Sequence, residues 1–174
     1  MDDEARLRAA DAAAFEHLLR DHARAMLQFA DFVLHDRSAA EDAAQEAFVI
    51  AWKRRNTLND VSAFVPWLRK IVLRECLRWR RHRLFLSIGL SDRVVARSEP
   101  DATLHLDMAT AIQRLSPKLR AVVFLHFYED LTLARIATEL GIPESTAKTR
   151  LYEALRRLQR FLPAYTGSKS GERT

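Results

Sequence analysis

Wound as a helix at 100° per residue, residues 145–162 sort their side chains by chemistry. Ser145, Thr146, Thr149, Glu153, Arg156, Arg157 and Arg160 gather on one face, and Ala147, Leu151, Ala154, Leu155, Leu158 and Leu162 gather on the opposite one. Lys148, Arg150 and Tyr152 lie on the flanks. Short hydroxyls and a lone carboxylate suit the edges of bases, flanking cations suit phosphates, and the apolar face docks the helix on a support. The stretch just before it has the spacing of a helix-turn-helix: Ala137, three residues, Gly141, then five residues to Ala147. Such spacing lets two helices cross closely at an alanine while glycine accepts the bend, and Pro143 fits the start of the second helix. A basic helical hairpin with no reading role carries the same pattern, so the rest of the chain has to decide.

Charge along the chain favours a polyanion. The net charge is +5, but it is unevenly spread. Residues 1–46 hold 5 basic and 11 acidic side chains, and residues 47–83 hold 10 basic and 2 acidic. Residues 84–103 are 2 against 3, and residues 104–174 are 11 against 7. Two basic regions flank a nearly neutral one, which suggests two separate contacts. Arginine supplies 23 of the 28 cations, and its planar fork matches phosphates and base edges better than lysine does.

Other chemistries are disfavoured. The single cysteine, Cys76, permits neither an internal disulfide nor a multi-cysteine zinc site, and its apolar-periodic surroundings IVLRECLRW make it a small core residue. Six histidines are scattered; His17 and His22, five apart, point in different directions on a helix. No metal, no cofactor and no catalytic residue is expected, because phosphate loop and nucleophile–base spacing are both missing. Without an apolar run of the roughly 18 residues that span a bilayer, or the apolar core of a signal peptide, the expected location is the cytoplasm with no membrane insertion.

Few glycines (4) and prolines (5) among abundant Ala, Leu, Arg and Glu predict an all-α chain. Helical spacing covers 11–35 through Phe15, Leu18, Leu19, Met26, Phe29, Ala30 and Val33. Ser38 with Glu41 forms a capping box for a helix running to about Arg55. Within that helix Phe48 and Trp52 share a face and read as core. Residues 56–62 read as a loop, 62–82 as a helix with Phe64, Trp67, Leu68, Ile71, Val72 and Leu77 inward, and 84–103 as a linker. A helix at 104–115, a second one opened by Ser116 as N-cap and Pro117 at its first position, and the hairpin complete the chain. The expected architecture is two small helical domains, 1–83 and 104–166, joined by a flexible linker at 84–103, with a helix-turn-helix in the second and a disordered tail at 167–174.

With the stretches DRSAAEDAAQEAFVIAWKR, SAFVPWLRKIVLRECLRWRRHR and AIQRLSPKLRAVVFLHFYEDLTLARIATELGIPESTAKTRLYEALRRLQRFL in this order, the chain resembles bacterial RNA polymerase sigma factors of the extracytoplasmic-function (ECF) group over roughly residues 12–162. The resemblance implies a region 2-like domain that binds core polymerase and reads and melts the minus-ten element, and a region 4-like domain that reads the minus-thirty-five element. Core-polymerase contacts with the coiled coil of the largest subunit fall to Asp42, Gln45 and Glu46, and the flap is the expected partner of the second domain. Minus-ten recognition and melting fall to Asn56, Asn59, Asp60, Lys70, Arg74, Arg78, Trp79 and Arg81. Minus-thirty-five recognition falls to Ser145, Thr146, Lys148, Thr149, Arg150, Tyr152, Glu153 and Arg156. An anti-sigma protein is a further implied partner.

The residues fit those roles physically. Unstacked bases need aromatic faces or pockets and the strand needs cations, which the basic run with Trp79 provides; Phe64 and Trp67 read as core. Asn59 and Asp60 have donors and acceptors for a flipped base, and turn chemistry accounts for them equally well. Arg74, Arg78, Ala147 and Glu153 depart from the residues common in the group, and Glu153 can accept from cytosine N4 while repelling phosphate. The alternative is a helix-turn-helix regulator that works without polymerase. An acidic docking helix beside a basic melting helix argues against it.

Overall fold

The computed structural model describes residues 3–58, 60–90 and 108–162, with side chains described over 11–58, 60–85 and 108–162. All regular structure among the described residues is helical, as expected from composition. It comprises α1 (Asp3–Leu34), α2 (Arg37–Arg54), α3 (Phe64–Leu90), α4 (Met108–Gln113), α5 (Pro117–Phe127), α6 (Leu133–Leu140) and α7 (Glu144–Phe161). The chain divides into two compact units: the first holds α1, α2, α3 as far as Arg80 and Thr138–Gly141, and the second holds the end of α3, α4, α5, the start of α6 and α7. No described helix is long and apolar enough to cross a membrane.

In the first unit α1 packs against α2. Its buried stripe is Met26, Phe29, Ala30 and Val33, as the periodicity predicts. The facing stripe on α2 is entirely alanine: Ala39, Ala40, Ala43, Ala44, Ala47 and Ala51 are at most 3% exposed. Small side chains let the two backbones approach closely, which leaves no room for larger ones. Phe48 is accordingly only half-buried and Trp52 is 37% exposed, contrary to their reading as core.

The start of α2 is also corrected. Asp36, extended at φ −154°, accepts a hydrogen bond from the Ala39 amide at 3.1 Å, so it is the N-cap. Ser38 lies inside the helix, and Glu41 pairs with Arg37 at 2.8 Å instead of closing a capping box. His35, at φ 55°, makes the break between α1 and α2. The first helix begins at Asp3, earlier than the periodicity from residue 11 indicates. Between α2 and α3 the expected loop is two single 3₁₀ turns, Arg55–Thr57 and Val61–Ala63.

Phe64, Leu68, Val72 and Cys76 recur every four residues down the buried side of α3. Phe15 meets Phe64 edge-on at 5.6 Å and Trp67 at 6.1 Å, and His22 lies 5.5 Å from the Phe64 ring. Cys76 is fully buried as predicted, and that burial pushes its thiol up from 9.0 to about 12. Thiol reagents at pH 8 should therefore label it only after unfolding, and the rate against denaturant concentration measures this; fast labelling of the native protein would contradict the burial. Because only the unfolded thiol ionises between pH 9.0 and about 12, stability should fall as pH rises through that window. The helix runs on to Leu90, past the expected boundary at 83. Residues 84–90 contain no proline to stop it, and Leu84 and Phe85, 60% and 79% exposed, carry no inward periodicity that sequence reading would detect.

In the second unit α5 and α4 both pack on α7. Ser116 is extended (φ −67°, ψ 154°) with Pro117 at the first helical position, as expected, though its side chain makes no capping bond. Leu115, Leu119, Val122, Leu125, Ile136, Ala147, Leu151 and Ala154 form the core. Of the helix predicted over 104–115, the structure describes 108–113; residues 104–107 and most of the predicted linker lie outside the described residues.

Candidate nucleic-acid interface

The hairpin turn closes as glycine chemistry requires. Gly141 has φ 64°, a left-handed conformation that strains other residues. Its amide donates to the Thr138 carbonyl at 3.3 Å, and the Ile142 amide donates to the Ala137 carbonyl at 3.0 Å. This pair of bonds is the Schellman closure, and it ends α6 in the register the alanine–glycine spacing implied. Pro143 sits just before α7 as its N-cap, one position outside the predicted first turn.

From there α7 buries Ala147, Leu151 and Ala154 and turns Ser145, Lys148, Thr149, Tyr152 and Arg156 to solvent, while Thr146, Arg150 and Glu153 are half-buried. The Thr149 hydroxyl donates to the Ser145 carbonyl at 2.8 Å and keeps lone pairs for an incoming donor. The Lys148 ammonium lies 6.0 Å from the Tyr152 ring centre, at the limit of cation–π attraction. Glu153 pairs with Arg157 at 2.5 Å, one turn on. The repulsion expected between that carboxylate and DNA phosphates is thereby offset by a neighbouring cation.

Along α3, Arg74, Arg78 and Arg81 are exposed, whereas Lys70 is half-buried. Trp79 is also half-buried. Arg78 is not a bare cation. Its Nε lies 2.6 Å from Glu75 Oε2, too oblique for a hydrogen bond but a close ion pair, and its Nη2 lies 3.7 Å from Glu46 Oε1 on α2. Of the loop residues, Asn56 is exposed and Asn59 lies outside the described residues. Asp60 caps the second 3₁₀ turn, accepting from the Ser62 hydroxyl at 2.6 Å and from its amide at 2.8 Å. Those two bonds, the hydroxyl's first, hold its carboxyl below the ordinary 3.8. Asp60 thus gives one lone pair of each oxygen to the turn.

Asp42, Gln45 and Glu46 are all exposed on α2. The structure adds two residues that sequence reading missed: Val49, 41% exposed, and Trp52, whose ring carries the Arg55 guanidinium 4.7 Å above it. Positions 42, 45, 49 and 52 follow the helical repeat, so this acidic edge continues into an apolar one. That repeat is present in the sequence, but Trp52 reads there as core and Val49 has no role.

A relative from Mycobacterium tuberculosis, the ECF RNA polymerase sigma factor SigL, is 33% identical over 159 residues, covering 87% of this chain and 90% of the relative. The chain belongs to the ECF sigma factors. It is thus a promoter-directing subunit of the transcription machinery rather than a stand-alone helical hairpin protein. The family described as Sigma-70 region 2 matches this sigma factor over residues 18–84, and Sigma-70, region 4 matches it over residues 105–158. The first match spans the second half of α1, all of α2 and most of α3; the second spans α4 to α6 and nearly all of α7. SigM of M. tuberculosis is 31% identical, covering 88% of this chain and 80% of the relative. Among solved structures, the sigma factor RpoE of Bartonella quintana, crystallised with the anti-sigma factor NepR, superposes with a TM-score of 0.65 at 24% identity. It covers 90% of this sigma factor and 99% of the RpoE chain, a likeness of fold.

Proposed function

We propose that this sigma factor docks on core RNA polymerase through the α2 face Asp42, Gln45, Glu46, Val49 and Trp52, and reads promoters with two separate surfaces. The exposed basic side of α3 contacts the minus-ten element during melting, and α7 reads the minus-thirty-five duplex from the face bearing Ser145, Thr149 and Glu153. The observation that carries this reading is the solvent-facing acidic and apolar stripe on α2 in the same compact unit as the basic α3. A DNA-binding helix has no use for that stripe, but a protein partner does. The coiled coil of the largest polymerase subunit is the partner proposed for α2 and the flap is that proposed for the second unit. Binding energy drives strand opening and the polymerase performs the chemistry, so no catalytic group of this chain is needed. An anti-sigma protein covering these surfaces is a further proposed partner, and the cytoplasm, where polymerase and promoters meet, is the proposed location.

Run-off transcription tests the reading. Core polymerase with this protein should initiate at defined template positions where core alone does not. Tight promoter binding without polymerase, and no specific starts with it, would instead identify a helix-turn-helix regulator.

A further inference from the structure

Arg78 belongs to the basic run of α3, and its surroundings single it out. The Arg78 side chain is 60% exposed, while the Glu75 side chain paired with it is 7% exposed. A buried carboxylate of this kind is costly without its cation, so it holds the arginine in place. Glu46 adds a second carboxylate from α2. Nε and Nη2, which share one edge of the planar fork, are thus engaged; among the described residues Nη1 has no ion-pair partner. Arg74 and Arg81, by contrast, are exposed and carry no ion pair among the described residues.

Two carboxylates compensate this guanidinium, while Arg74 and Arg81, one turn to either side on the same helix, keep their charge uncompensated among the described residues. A phosphate therefore gains less at Arg78 than at either neighbour. A neutral base edge with two acceptors needs donors rather than net charge, and the outer edge of a fixed fork fits one. We propose that Arg78 reads the acceptor edge of a base in the minus-ten element, guanine O6 and N7 being the best match, and that Glu75 is its positioning residue. Arg74 and Arg81 grip phosphates beside it. The inference rests on the proposed placement of α3 against the minus-ten element.

The experiment uses holoenzyme assembled from core polymerase and the full-length chain, transcribing a promoter library randomised across the minus-ten element, with transcripts sequenced. Arg78→Ala should flatten base preference at one position, by roughly 5- to 150-fold, and leave the salt dependence of promoter binding unchanged. Arg78→Lys keeps a cation over Glu75 but has no fork, so it should not restore the preference. Arg74→Ala should do the reverse, lowering the slope of log affinity against log salt by about one with preference intact. Glu75→Gln should weaken preference at the same position as Arg78→Ala, and the double variant should be no worse than Arg78→Ala alone. Unchanged preference in Arg78→Lys, or a slope that falls by about one in Arg78→Ala and is restored by lysine, would overturn the proposal. If the wild-type holoenzyme gives no promoter-specific starts, the function proposed for the protein fails, which is a separate result.

Discussion

Replacing Asp42 and Glu46 together by lysine is expected to abolish association with core RNA polymerase while leaving helix content unchanged. Both side chains are exposed on α2, so neither substitution enters the alanine interface with α1. The change converts two negative charges into two positive ones on a single turn of surface. Against a basic partner, like charges placed face to face cost several kcal/mol, enough to lose binding by two orders of magnitude or more. Glu46→Lys also removes the 3.7 Å contact to Arg78, but both partners are at least half exposed, and such pairs contribute about 0–1 kcal/mol. The internal cost is therefore small beside the interface effect. Size-exclusion co-elution with core polymerase measures the association and far-UV circular dichroism measures the fold. Co-elution at wild-type affinity would remove α2 from the docking surface.

The second large effect is on stability. Phe64→Ala should destabilise the first unit by about 3–5 kcal/mol, the usual cost of emptying a buried phenylalanine site. Phe64 is 1% exposed, starts α3, and touches Phe15, Trp67 and His22. Its loss opens a cavity among rings that cannot all collapse into it, at the point where the 3₁₀ turn hands over to the proposed melting helix. For a unit of this size such a loss lowers the melting temperature by more than about 10 °C. Thermal unfolding followed by circular dichroism checks this. A drop of only a few degrees would mean that the aromatic cluster repacks around the gap.

Much of the site was legible from local pattern. The Ala137–Gly141–Ala147 spacing predicts a turn that glycine accepts without strain, and the structure closes it with the Gly141 and Ile142 amides. The apolar and polar sides of residues 145–162 fall where the helical repeat puts them, because a single helix on a single support obeys its own periodicity. Cap identity was less legible: Asp36 and Ser38 are both capping residues two positions apart, and backbone conformation at His35 and Asp36 selects the former.

The sequence alone determined what repeats locally: helical content, the order of the helices, the family they resemble, the glycine turn, and the burial of Cys76 on the inner stripe of α3. Tertiary structure decided what depends on residues far apart in the chain. Six alanines became the buried face of α2 because α1 comes close enough to exclude anything larger, and this pushed Val49 and Trp52 outward. The packing of α2 beside α3 set Glu46 next to Arg78, 32 positions on, and turned one arginine of a basic run into a braced, charge-compensated fork. Helical periodicity reports which side of a helix is apolar, but which residue stands opposite a given side chain is a property of helix packing, and that is not local.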